Sequence, residues 1–243
     1  MLLSSWPLAL ALFDGNVSGW IMIGVATMLV AGSRIGGAAS AVLAISKLTP
    51  GPLFGAALAT GGARNPAALT AVVVFLASFA VAPAAWFDWF RVLPSIARNP
   101  PTAGVAIQSP AAASAALGWP EVGFGVGVAL AAGFTLAAIA LAWRRGLILS
   151  SVAAATFAYM FASPTLWDHH VAVAVPIMIA AWPRGSRPVR LIVVLNVGWS
   201  VGVWIGLGNS VVGLAALLLL GAALVVPAIG AELRAARGRL SAP

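Results

Sequence analysis

The densest group of polar side chains in the sequence lies between Ser163 and His170. It contains Asp168 and both histidines of the chain, His169 and His170, which could contact a phosphate or a sugar, or bind a metal. Neighbouring histidines on a helix diverge by about 100°, and no further ligand follows nearby, so the pattern does not favour a metal site. A purely structural interpretation is a helix N-terminus capped by Asp168, with Trp167 in the aromatic belt of a membrane.

A second candidate, Lys47, lies within an otherwise apolar stretch that runs from residue 35 to residue 63. A lysine at membrane depth costs about 3 kcal/mol unless it is paired or reaches water, so such a residue is a functional candidate. In the structural alternative, its aliphatic stem lies against lipid while the ammonium reaches the interface. The sequence leaves both interpretations open.

Other polar residues have an ordinary structural explanation beside a functional one. The segment Asp-Gly-Asn-Val-Ser at 14–18 precedes an apolar run and is typical of helix capping. Arg91 and Arg98 are either exposed loop arginines or contacts to an anion. Gln108 and Ser109 are uncharged polar groups in the same long connection, and an ordinary loop explains them equally well.

The elements that must position these residues are membrane-spanning helices. Hydrophobic residues make up 62% of the chain and charged residues 7%, against about 25% charged residues in soluble domains. Unbroken apolar runs favour helices over a transmembrane barrel, whose strands alternate. The chain has no cysteine, which excludes disulfides and thiolate metal sites. Its net charge of +8 does not predict nucleic-acid binding, because the arginines are dispersed between apolar runs.

The apolar runs predict an all-α, polytopic transmembrane bundle with about eight or nine spans, some of them short. The stretch 35–63 is too long for one helix, so we expect a hairpin of two short helices that meet near Lys47. The single tyrosine, Tyr159, is expected to face lipid or the interface. The predicted spans occupy residues 17–33, 35–47, 50–63, 66–85, 122–143, 146–163, 169–183, 189–207 and 210–231.

Charges sort between alternate connections of this predicted bundle. One set of connections holds most of the arginines, which predicts that this set lies in the cytoplasm together with the C-terminus. The other set holds most of the acidic residues, Lys47 and the histidines, with Glu232 as the acidic exception. The cytoplasmic set comprises Arg34, Arg64, Arg144, Arg145, Arg184, Arg187, Arg190, Arg234, Arg237 and Arg239. We therefore expect an integral protein of the plasma or inner membrane, with its candidate site on the periplasmic or extracellular face.

The chain is predicted to form a single membrane domain over residues 1–243. Spans within 17–85 include the Lys47 hairpin, and spans within 122–231 follow one long outer loop, 86–121. That loop opens with aromatic and charged residues that are typical of a helix lying at the lipid headgroups. Residues 232–243 form a cytoplasmic tail.

Four stretches resemble, in order and placement, the GT-C glycosyltransferases, specifically glycosyltransferase family 87, which use polyprenyl-phosphate sugars and include mannosyl- and arabinosyl-type transferases. They are the segment 14–18, Ile45–Pro50 in the hairpin, Gln108–Ser109 in the long loop and Ser163–His170. Two positions depart from the family pattern: Ile107 stands where the family has Asn, and Leu166 where it has Ser. Family members also carry further N-terminal helices and a first outer loop with an acidic catalytic base. The chain therefore resembles the C-terminal part of such an enzyme.

The resemblance implies a hexosyltransferase, using mannose or another hexose or pentose, that moves a sugar from a polyprenyl-phosphate donor to a glycan or glycolipid acceptor at the outer face of the membrane. It places Lys47, His169 and His170, with Arg91 or Arg98, at the donor phosphate. It places Asn16, Gln108, Ser109 and Trp167 at the substrates, and leaves Asp14 and Asp168 as weak candidates for the base. It implies no nucleotide, no cofactor and no required metal, and membrane lipid is the other expected partner.

Two other functions also fit a polytopic chain with charges at one face. A transporter or flippase for a lipid-linked or anionic solute would use broken helices and ionisable residues near the bilayer midplane. A non-catalytic membrane partner would need no complete site. Collection of the ionisable residues at one face favours the transferase.

Overall fold

A computed structural model describes residues 18–47, 50–98, 109–163, 166, 168–204 and 209–240. These residues form helices, several of which are joined by short turns, with no strand among the described residues. The helices are α1 Ser18–Val30, α2 Gly32–Lys47, α3 Gly51–Ala59, α4 Gly61–Val81, α5 Pro83–Arg98, α6 Pro110–Ala116, α7 Gly123–Arg145, α8 Leu149–Ala162, α9 Val175–Arg184, α10 Arg187–Trp204 and α11 Ser210–Leu240. Two 3₁₀ segments, Pro120–Val122 and Asp168–Ala174, complete the described structure.

The helical fold class is confirmed, and three described helices are long and apolar enough to cross a membrane: Gly61–Val81, Pro120–Arg145 and Ser210–Ala235. The shorter apolar helices Ser18–Val30, Leu149–Ala162 and His170–Arg184 fall below that length. The predicted total of about eight or nine spans stays a prediction, because a helix needs about 20 residues to cross the hydrocarbon core without help.

Two helices occupy the described part of the stretch that was predicted to form the Lys47 hairpin. α2 ends at Lys47, and α3 begins at Gly51, directly after Pro50. Pro52 lies in the first turn of α3, where proline is favoured because its missing N–H would have no intrahelical partner. α3 ends at Ala59, and Thr60 is the N-cap of α4.

The long connection is more helical than predicted. α4 ends at Val81, and α5 starts at Pro83. The aromatic side chains of α5 pack back on the end of α4, with Trp86 at 5.0 Å from Phe75 and Phe87 at 6.0 Å from Phe79 between ring centroids. The predicted aromatic helix is therefore present, and part of its aromatic face contacts another helix.

α8 lies at the centre of the bundle, contacting α1, α3, α7, α9 and α11. Its residues from Ser151 to Phe161 are all buried. The expectation that Tyr159 faces lipid or the interface is wrong, since its side chain is fully buried. The alanines on the faces of α8 let neighbouring helices approach it closely. Its uniform apolarity therefore indicates a core helix and not a lipid-facing one.

The arginine-bearing connections meet at one end of the bundle. Thr60, between α3 and α4, donates a hydrogen bond from Oγ1 to the Ala142 carbonyl in the last turns of α7, at 3.3 Å. A Cβ placed on Gly36 of α2 would lie 3.4 Å from Leu147, just after α7. Arg34, Arg64, Arg144 and Arg145 therefore lie at the same end, as the charge pattern predicts; which side of the membrane this is stays a prediction.

Candidate functional site

A cleft of about 410 Å³ lies at the other end of α7, away from its two terminal arginines. It opens between α3, α6, α7 and the end of α8. Most of its surface is apolar, with hydroxyl groups at Ser109, Thr135 and Ser163. The lining residues are Pro52, Ser109, Pro110, Ala111, Gly123, Phe124, Gly127, Val128, Ala131, Ala132, Thr135, Phe161, Ala162 and Ser163.

The cleft brings together three stretches that are far apart in sequence. Pro52 follows the turn of the Lys47 hairpin, Ser109 lies within the long loop, and Ser163 is the first residue of the polar run that ends at His170. The fourth stretch leads into α1, which packs against the 3₁₀ segment Asp168–Ala174. The described parts of the hairpin, the long loop and the run that begins at Ser163 therefore meet at this cleft.

Ser109 has a structural role that is visible in its hydrogen bonding. It is fully buried and stands at the N-cap of α6, where Oγ accepts a hydrogen bond from the Ala112 N–H at 3.2 Å. The side-chain oxygen thereby satisfies one of the free N–H groups at the start of that helix. Because the hydroxyl oxygen acts as the acceptor in this cap, the hydroxyl proton is not used by it.

Two glycines let α6 and α8 approach α7 closely beside the cleft. A Cβ on Gly123 would lie 2.6 Å from the Cα of Ala111, and a Cβ on Gly127 would lie 3.3 Å from the Phe161 carbonyl oxygen. Side chains at these positions would push α6 and α8 away from α7. With Ala131 and Thr135 they form a row of small residues one turn apart. This spacing is visible in the sequence and is typical of a helix face that other helices approach closely.

His170 lies in the 3₁₀ segment between α8 and α9, and only 5% of it is exposed. It is not among the described residues that line the cleft. The segment packs against α1, α8 and α9, so the backbone of the Asp168–His170 motif is anchored in the core.

Arg91 lies on the exposed side of α5 and forms an ion pair with Asp88, one turn earlier, at 3.5 Å between Nη1 and Oδ1. Both side chains are largely exposed, so this pair contributes little to stability. The structure places Arg91 in this local pair and outside the described cleft lining.

The remaining candidate residues are placed only by their backbone or not at all. Lys47 and Arg98 end α2 and α5, and the 3₁₀ segment begins with Asp168 and His169. Four further candidates lie outside the described residues: Asp14, Asn16, Gln108 and Trp167. Within the described part of the chain, no group of His, Asp and Glu could hold a metal ion.

A family model described as Glycosyltransferase family 87 matches residues 1–166, which is more than half of the chain. The chain belongs to glycosyltransferase family 87. The resemblance drawn from the sequence motifs is confirmed, and membership implies a membrane glycosyltransferase with a sugar donor and an acceptor as substrates. Together with the long apolar helices, it identifies an integral membrane protein. No curated protein and no solved structure matches this chain.

The matched residues of this family 87 member include the hairpin, the long loop and all of the described cleft lining. The match ends at Leu166, so Trp167 and the Asp168–His170 triplet follow it directly.

Proposed function

We propose that this chain transfers a sugar, mannose or another hexose or pentose, from a polyprenyl phosphate to a hydroxyl of a glycan or glycolipid at the outer face of the membrane. The observation that carries the proposal is the cleft between α3, α6, α7 and α8. Its lining combines hydroxyl groups at Ser109 and Ser163 with an apolar wall on α7, which suits a ligand with a polar head and a long apolar tail.

The apolar wall is long enough for several isoprene units. Its residues on α7 run from Gly123 to Thr135, a rise of about 18 Å at 1.5 Å per residue. Gly123 and Gly127 are covered by α6 and α8, so the room for a branched chain lies beside Val128, Ala132 and Thr135, which are exposed or half-buried. The wall runs from the Ser109 end of the cleft towards the middle of α7.

We place the polar head of the donor beside Ser109 and Ser163, towards the end of α2. In the transfer, the acceptor oxygen forms a bond to the anomeric carbon while the bond from that carbon to the phosphate oxygen breaks. The departing polyprenyl phosphate gains negative charge, which nearby cations stabilise in the transition state. Lys47, His169 and His170 are proposed for this role, with Arg91 or Arg98 as further contacts.

The proton of the acceptor hydroxyl needs a general base. Asp14 and Asp168 are the carboxylates that the motifs supply, and both are proposed only as weak candidates. Asn16, Gln108, Ser109 and Trp167 are proposed as contacts to the sugars. The chemistry requires no nucleotide and no cofactor, because the donor already carries an activated sugar phosphate.

The test is sugar transfer in proteoliposomes that contain labelled polyprenyl-phosphate mannose, a glycolipid acceptor and the purified chain, with Lys47→Ala, Lys47→Arg and His169→Ala beside it. We expect transfer by the parent chain, loss with Lys47→Ala and His169→Ala, and partial retention with Lys47→Arg, which keeps the charge. Donor binding without transfer would contradict catalysis by this chain alone. If the chain neither binds the donor nor transfers the sugar, the result would favour the transporter, flippase or partner functions. A solute-flux assay on the same vesicles would then test the transporter.

A further inference from the structure

The first turns of α2 and α4 lie against each other at the arginine-rich end of the bundle. A Cβ added to Gly37 would collide with the carbonyl oxygen of Ala63, and a Cβ added to Gly62 would lie 2.7 Å from the Ser33 hydroxyl oxygen. Glycine at both positions therefore allows contact between the two backbones. The contact fixes the relative position of the residues that these two turns carry.

Each of these turns carries an exposed arginine, Arg34 on α2 and Arg64 on α4. The Arg64 Nε donates to the Leu58 carbonyl at 2.9 Å, which holds the side chain and leaves its other guanidinium N–H groups as donors. In the part of the chain that the structure describes, ion pairs join Arg91 to Asp88 and two other arginines to Glu232. Neither Arg34 nor Arg64 has a carboxylate partner there.

Two positive charges in this arrangement are electrostatically unfavourable by themselves. Both lie in the first turn of a helix, where the helix dipole already places partial positive charge. The backbone segments that carry them are neighbours, because the glycine contacts hold the start of α2 against the start of α4. A bound anion would offset this repulsion, and guanidinium groups match phosphate oxygens in geometry.

The residues around Arg34 and Arg64 indicate which kind of anion the two arginines would bind. Ile35, next to Arg34, and Leu69, beyond Arg64 on α4, are large apolar side chains that are mostly exposed. α4 is also one of the helices long enough to cross a membrane. The charges therefore lie at the border of a lipid-facing surface, where a phosphate attached to acyl chains fits both the cations and the apolar flank.

We propose that Arg34 and Arg64 together bind the phosphate of an anionic phospholipid at the base of the α2–α3 hairpin. The lipid ties the first turn of α2 to the first turn of α4. It lies at the opposite end of α2 from Lys47, so this site is distinct from the cleft and does not depend on the proposed sugar transfer.

The experiment compares phosphatidylglycerol and phosphatidylcholine retained by the full chain in native mass spectrometry, after titration of each lipid into detergent-purified protein. We expect the parent chain to prefer phosphatidylglycerol. A protein that carries both Arg34→Gln and Arg64→Gln should bind phosphatidylglycerol about thirty-fold more weakly. Each basic residue near an anionic lipid contributes about five-fold, and the two contributions multiply. The matched control is the pair Arg184→Gln and Arg187→Gln, which removes the same charge from exposed arginines elsewhere and should leave binding unchanged.

Equal retention of the two lipids by the parent chain would overturn the proposal, as would full binding by the doubly substituted protein. Displacement of phosphatidylglycerol by millimolar inorganic phosphate would show that the site takes free phosphate and not lipid. If the double substitution prevents folding, Arg34→Gln and Arg64→Gln are measured singly. Each should weaken binding about five-fold, and two unchanged affinities would again overturn the proposal.

Discussion

Glu232 on α11 forms ion pairs with Arg145 and Arg144, the last two residues of α7. The contact to Arg144 measures 3.8 Å between Nη1 and Oε2, and the Glu232 side chain is half-buried between the helices. Glu232 is also the acidic residue that breaks the sorting of charges between the connections. Its partners explain the exception, because it neutralises part of the arginine-rich end while tying α11 to α7.

Replacing Glu232 with Gln should lower the thermal stability of the protein. The change leaves two adjacent arginines without their carboxylate, a loss of about 1 kcal/mol for partly exposed pairs, or about 2–4 °C in melting temperature for a chain of this size. Thermal unfolding in detergent measures it. Glu121→Gln is the control, because Glu121 is exposed and forms no ion pair with the described residues. The difference in melting temperature between Glu232→Gln and the parent protein should shrink at high salt. An unchanged melting temperature at low salt would contradict a stabilising role for Glu232.

Gly37→Ala should destabilise the protein, whereas Gly133→Ala should not. The added methyl group at 37 meets the backbone of α4, so the two helices must separate, at a cost of about 1–3 kcal/mol. At Gly133, in the middle of α7, a Cβ meets nothing within 4 Å, and alanine improves helix propensity by about 1 kcal/mol. Melting temperatures of the two variants compare them directly. Equal effects would show that α2 and α4 do not touch as described.

Ala131→Trp should block the cleft. Ala131 lies on the apolar wall, and an indole there would fill much of the space proposed for the lipid tail. We expect polyprenyl-phosphate binding to weaken by at least about ten-fold, since the tail loses its buried contacts. Gly125→Trp is the control, because Gly125 lies on the same helix with open space around it. Equal binding by the two variants would remove the α7 wall from the donor site.

Ser109→Ala should lower stability through loss of the α6 cap, by about 1 kcal/mol. Ser109→Gly separates the two roles of this residue, because glycine at an N-cap costs only about a few tenths of a kcal/mol and offers no hydroxyl proton. If Ser109 also contacts substrate, Ser109→Gly should recover most of the melting temperature and not the transfer rate. Recovery of both would leave Ser109 with the capping role alone.

The predicted orientation can be tested with single cysteines, since the chain has none of its own. Ser46 is exposed near the end of α2, and Ser186 is exposed in the arginine-rich connection between α9 and α10. A membrane-impermeant thiol reagent should label Ser46→Cys in intact cells, and Ser186→Cys only after permeabilisation. The reverse pattern would invert the topology and move the cleft to the cytoplasmic side.

Local patterns in the sequence predicted most helix positions well. The break at Pro50 and the ends of α7 and α8 follow from apolar runs interrupted by proline, glycine and arginine, which act over a few residues. The grouping of Arg34, Arg64 and Arg145 at one end also followed from the charge pattern. The family was recognisable for the same reason, because its motifs are short and their order is kept along the chain.

The arrangement of these helices could not be obtained from such local signals. A uniformly apolar helix such as α8 has no periodicity that distinguishes lipid from protein on its faces, so the burial of Tyr159 was missed. The cleft depends on α6 and α8 approaching α7 at Gly123 and Gly127, and on residues far apart in the chain. Composition and motif order thus determined a helical membrane protein of family 87, whereas only the tertiary structure decided which surfaces meet, because helix contacts arise from side-chain shape between distant segments.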